Sequence, residues 1–213
     1  PRLNYAEQLG VEVLRVPLRQ AMAIDLEAMA RAVDDSVSLV YLCNPNNPTG
    51  MAIEGDELRS FCREVSRKAP VMIDEAYNEL TDKPDDSSMV DLVRSGKNIL
   101  VTRTFSKIFG MAGLRVGYGM GHPDIVSVAK DHVMAWPNGV GLYAAYHSYL
   151  DEDFIDFSRD KILQGREMVT ATFRRHGIEP LPSQANFVSA NIDRNADPSK
   201  AELAARNVRN RGS

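Results

Sequence analysis

Three short apolar runs, each stopping at a cluster of polar residues, constrain this chain more than any other feature. Leu39 to Cys43 runs straight into Asn44-Pro45-Asn46-Asn47-Pro48-Thr49-Gly50. Val71-Met72-Ile73 stops at Asp74-Glu75-Ala76-Tyr77. Ile99-Leu100-Val101-Thr102 stops just before Thr104-Phe105-Ser106-Lys107. Short apolar runs bounded by turn signals read as buried strands. Helical patterns separate them. Asp25 is placed to cap a helix through Leu26, Met29, Ala30 and Val33, and Leu58, Phe61, Cys62 and Val65 share a helical face within 54–68. Strands alternating with helices predict an α/β fold with a largely parallel sheet. Open α/β sheets place ligands beyond the carboxyl ends of their strands, and all three polar clusters fall there.

The remaining pattern extends this plan. Val11 to Val16 alternates and predicts a strand, as does Val116 to Met120. Pro123 opens a helix that breaks near Trp136-Pro137-Asn138-Gly139, and a second helix runs to Leu150. Residues 151–176 read as one long amphipathic helix, 187–190 as a strand and 199–211 as a final helix. The expected organisation is a large domain over 1–155 and part of a smaller α+β domain over 156–213.

Composition narrows the function classes. The 213 residues are 44% hydrophobic with a net charge of −4, and carry no basic stripe of the kind that grips nucleic acid. The longest apolar run is too short to span a bilayer. Cys43 and Cys62 form no disulfide framework, and the four histidines show no metal-ligand spacing. A cytoplasmic location and a metal-free site are the expectations.

Lys107 sits among hydroxyls, with Arg115 eight residues on and Gly110 and Gly113 between. A covalent pyridoxal-phosphate (PLP) site needs these parts: an amine to form a Schiff base, and donors to hold a phosphate beside it. Thr104 and Ser106 can each donate one hydrogen bond, and the Arg115 guanidinium can hold a phosphate bidentately. Asp74, at the end of an apolar strand, is the carboxylate that would keep the pyridine nitrogen protonated, so that the ring acts as an electron sink.

In order and spacing, N-P-N-N-P-T-G, D-E-A-Y and T-F-S-K-I-F-G-M-A-G-L-R-V-G-Y resemble the class I/II aminotransferases of PLP fold type I. D-E-A-Y and Ser183-Gln184-Ala185-Asn186-Phe187 are most similar to the histidinol-phosphate aminotransferase subgroup. The resemblance covers nearly the whole chain. It implies a three-layer α/β/α large domain and a homodimeric parent. It also implies an amino donor and a 2-oxo acid acceptor, joined in turn through Lys107. Asn47 and Tyr77 are then the donors to the cofactor's phenolic oxygen, and Asn186 lies on the substrate side. Family members are longer at both ends, so the chain reads as a central portion. Other reactions on the same fold remain open alternatives: a decarboxylase, or the PLP-sensing domain of a transcription regulator.

Overall fold

The computed structural model describes residues 2–133 and 136–191. One sheet holds four strands in the order β1 (Val40–Cys43), β2 (Val71–Asp74), β3 (Ile99–Thr104) and β4 (Gly117–Gly121). The first three are parallel and in register, with Cys43 opposite Asp74 and Asp74 opposite Thr102. β4 returns antiparallel to β3, with Thr104 opposite Gly117. The α-helices among the described residues are α1 (Arg2–Gln8), α2 (Leu26–Arg31), α3 (Gly55–Val65), α4 (Pro84–Ser87), α5 (Val90–Arg94), α6 (Pro123–Asp131), α7 (Gly139–Tyr149) and α8 (Glu152–Arg175). The architecture is the α/β, mostly parallel arrangement that the alternation predicts.

Helix starts follow local chemistry. The Asp25 carboxylate accepts from the Ala28 amide at 2.8 Å and opens α2. Glu54 accepts from the amides of Asp56 and Glu57 and opens α3, and Asp151 accepts from Phe154 at the head of α8. Each satisfies amides that the first turn leaves without intrahelical partners.

Alternation along the strands divides the sheet into two faces. Val40, Leu42, Val71, Ile73, Ile99 and Val101 point to one side and pack against Leu58, Phe61, Cys62 and Val65 of α3 in a single apolar cluster. The other side carries Tyr41, Cys43, Met72, Asp74, Leu100, Thr102 and Thr104. A second cluster lies beyond the carboxyl ends of the strands. There Tyr77, Leu80, Phe105, Ile108, Phe109 and Val116 meet Ala145 of α7 and Ala185.

The first half of α8 is fastened to the loops that leave the strands. Ser158 Oγ donates to the Ile108 carbonyl at 2.6 Å. Arg159 donates from Nε to Glu79 at 3.1 Å and from Nη2 to Thr81 at 2.8 Å. The expected boundary at 155/156 falls within this helix.

Two predicted strands do not form. Residues 11–16 have no strand partner among the described residues, and Val11 and Leu14 are exposed. Alternation alone cannot hold a strand without a neighbouring ladder. Residues 187–190 contribute one antiparallel bridge, Pro180 with Ala190. Pro180 and Pro182 have no N–H to give, so the ladder cannot lengthen there. The helix expected over 199–211 lies outside the described residues.

Candidate active site

The parallel register brings the ends of β1, β2 and β3 to one edge, where the three polar clusters meet. Asp74 closes β2 and is largely buried at 8% exposure. Its Oδ2 accepts from the Tyr41 hydroxyl at 3.2 Å, a bond between neighbouring strands on the less covered face. Asp74 is thereby held at the sheet edge rather than acting as a helix cap.

Glu75, the next residue, faces the opposite way and is fully buried. It accepts from the Met89 amide at 2.7 Å, from Ser88 Oγ at 3.0 Å, and from Arg103 Nε and Nη2 at 3.1 and 2.8 Å. Burial disfavours the Arg103 charge, but the Glu75 carboxylate outweighs it and holds the guanidinium above its ordinary value. Burial pushes the neighbouring Glu79 carboxyl up, an effect that Arg103 only partly offsets. A buried carboxylate with this many donors is well paired. It locks the residue after Asp74 to the residue before Thr104.

Tyr77 is the centre of the site. It is buried, and its hydroxyl accepts from Asn47 Nδ2 at 3.0 Å across thirty positions of sequence. Lys107 Nζ lies 5.1 Å from the centre of its ring. Phe187 meets the same ring in a T-shaped contact, centroids 5.4 Å apart. The structure therefore brings Asn47, Tyr77 and Lys107 together.

Thr104 ends β3, and its Oγ1 accepts from the Ser106 amide at 3.1 Å, tightening the turn that carries Lys107. The Phe105 amide donates to Val116 and Thr104 pairs with Gly117, which returns the chain beside this turn. Arg115 sits on that return in the left-handed region, φ 55°, and its Nη1 donates to Ala112 at 2.8 Å. No described contact joins its guanidinium to Thr104, Ser106 or Lys107. Asn186 is exposed, one residue from Phe187. Asn138, a weaker candidate in the sequence, caps α7 by accepting from Gly141 at 3.1 Å and donates to Leu114 at 3.1 Å.

Tyr41, Phe187 and the Arg103–Glu75 pair were not singled out from sequence. Tyr41 is one position in an apolar run, and only the β1–β2 register sets it beside Asp74. Phe187 belongs to the S-Q-A-N-F segment, but its contact with Tyr77 spans 110 residues. Among the described residues, no cluster of His, Cys, Asp or Glu is arranged to hold a metal, and no helix is long and apolar enough to cross a membrane.

The structure thus gathers an amide, a phenol and an amine around Tyr77, beyond the strand end that carries the Asp74 carboxylate. Residues 3–211 match the family model for aminotransferase class I and II. The chain is 33% identical over 201 residues to histidinol-phosphate aminotransferase of Brevibacillus brevis, covering 93% of this chain and 55% of that protein. It is 38% identical over 186 residues to histidinol-phosphate aminotransferase of Symbiobacterium thermophilum, covering 86% and 50%. The fold superimposes on histidinol-phosphate aminotransferase from Sinorhizobium meliloti in complex with pyridoxal-5'-phosphate. The TM-score is 0.89 at 28% identity, with 99% of this chain and 59% of that one covered. This chain belongs to the class I and II aminotransferase family, and it spans about half the length of the curated relatives it matches.

Proposed function

We propose that this chain carries the cofactor-binding part of a PLP-dependent aminotransferase, which moves an amino group between an amino donor and a 2-oxo acid. The observation that carries the proposal is the convergence on Tyr77: Asn47 on its hydroxyl at 3.0 Å and the Lys107 amine over its ring. These are the amide, phenol and amine that the family motifs name, from three separate segments. The donor set fits the cofactor chemically, with hydroxyls and a guanidinium for a phosphate, a carboxylate for a basic ring nitrogen, and an amine for an aldehyde. When bound, the cofactor supplies that aldehyde and an electron-withdrawing ring.

The residues take the following parts. Lys107 Nζ would hold the cofactor's aldehyde carbon, and as a free amine would take up and return the proton at the substrate Cα. The Asp74 carboxylate, steadied by Tyr41, would hold a proton on the ring nitrogen. Asn47 and Tyr77 would donate to the phenolic oxygen and fix the ring's orientation. Thr104, Ser106 and Arg115 would hold the phosphate. A guanidinium has five N–H donors, so the bond to Ala112 leaves it able to grip an anion. Asn186 would face the substrate.

The names of the relatives point to histidinol phosphate or a similar amino compound as donor. The two-part organisation at 155/156, a homodimeric parent and a cytoplasmic location complete the reading. The dimer is supported by the apolar surface of α7, where Val140, Leu142, Tyr143 and Tyr146 are all exposed. Mixing the chain with PLP should give a visible absorption band that Lys107→Ala lacks, and an amino donor alone should discharge it. An equal band in both proteins would sink the assignment of Lys107.

A further inference from the structure

The segment 183–189 lies across two loops that are far from it in sequence. The Gln184 amide donates to Gly50 at 2.7 Å, and its Oε1 accepts from the Asp82 amide at 3.1 Å. Ser189 Oγ donates to the Pro48 carbonyl. Gly50 has φ +76°, and a Cβ there would lie 2.2 Å from Ser183 Oγ and 2.7 Å from Ser183 Cβ. Only glycine allows this close seating. The segment is also braced internally, with Ser183 Oγ donating to Phe187 at 2.5 Å and accepting from Ala185 at 3.1 Å. The result is one defined position for Phe187 against the Tyr77 ring.

We infer that Phe187 is a positioning residue for Lys107, acting through the Tyr77 ring. The ring is held at three places: by Asn47 at its hydroxyl, by Phe187 in a T-shaped contact and by the Lys107 ammonium at 5.1 Å. T-shaped aromatic pairs add attraction beyond area burial, and an ammonium over a ring is drawn to its negative face. With Phe187 gone, the ring loses one of these holds and the amine's seat over it loosens. The inference deepens the proposed function and rests on its choice of Lys107 as the reacting amine.

The test reads the amine in the chain without cofactor. Brief acetylation at neutral pH, followed by peptide mass mapping, gives the Lys107 rate relative to exposed Lys68 and Lys130. Phe187→Ala should raise that ratio about threefold, the loss of one ring–cation contact, and Phe187→Leu should raise it less. Phe61→Leu, on α3 in the cluster against the sheet, should lower the unfolding temperature without moving the ratio. An unchanged ratio in both Phe187 variants, or an equal rise in Phe61→Leu, would overturn the inference. If Phe187→Ala does not fold, Phe187→Leu decides alone. A moved ratio in a chain that gives no PLP band would sink the cofactor reading and leave this inference standing.

Discussion

The two faces of the sheet use the same strands and opposite chemistry. Toward α3, every inward residue from Val40 to Val101 is apolar and nearly inaccessible, and the helix answers with Leu58, Phe61, Cys62 and Val65. On the other face and at the carboxyl ends, polar groups are held in pairs by residues from distant segments: Tyr41 on Asp74, Asn47 on Tyr77. The first face obtains its stability from area removed from water, which is non-directional and tolerant of detail. The second obtains position from directed hydrogen bonds, each worth little net but costly to leave unmade. Stability and placement are thus assigned to different sides of one sheet, with Glu75 and Arg103 as the polar exception on the stable side.

That exception gives the largest expected effect. Glu75→Ala removes the partner of a guanidinium whose side chain is only 16% exposed, and should cost about 3–5 kcal/mol in urea denaturation. A loss near zero would mean that the pair does not join β2 to β3. Leu58→Ala should follow at about 2–5 kcal/mol, the cost of a cavity against the sheet. Tyr41→Phe, on the other face, should cost about 1 kcal/mol or less while weakening PLP binding. Equal losses for Leu58→Ala and Tyr41→Phe would break the contrast between the faces.

The cysteines sharpen it. Burial first, then the Glu75 and Asp91 charges, push the Cys62 thiol up to about 12. It should resist alkylation at neutral pH, while half-buried Cys43 on the site face reacts. Cys62 labelling as fast as Cys43 would contradict the closed packing against α3. The smallest effect concerns Glu79. Its carboxyl is raised above the ordinary value of 4.5 by burial, so the folded state binds more protons than the unfolded one in that window. Its contribution is fully present below 4.5 and is lost as pH rises through the folded value. Glu79→Gln should flatten that part of the stability–pH curve.

Much of this was legible in the sequence, for physical reasons that also explain the rest. The strands of the sheet showed as apolar runs because both the buried face and the strand ends interrupt polarity sharply. α2, α3 and α8 showed through spacing and through Asp25, Glu54 and Asp151 at their starts. Asn47, Asp74, Tyr77 and Lys107 stood in motifs beside the strand ends. Register was not legible. The pairing of Tyr41 with Asp74 and of Glu75 with Arg103 depends on which residues lie opposite, and an apolar run does not state that. The strand expected over 11–16 failed because alternation records a face, not a partner. Phe187 was hidden because its contact with Tyr77 depends on Ser183 of the same segment seating against Gly50, a contact set by space rather than by residue type.

The central claim is that Lys107 is the amine that holds the cofactor. Incubating the chain with PLP, reducing with borohydride and mapping the modified peptide tests it most directly. The account predicts cofactor on the peptide that contains Ser106-Lys107, at one equivalent per chain, and none there in Lys107→Ala. Modification spread over Lys68, Lys97 and Lys130, with Lys107 unmodified, would contradict it.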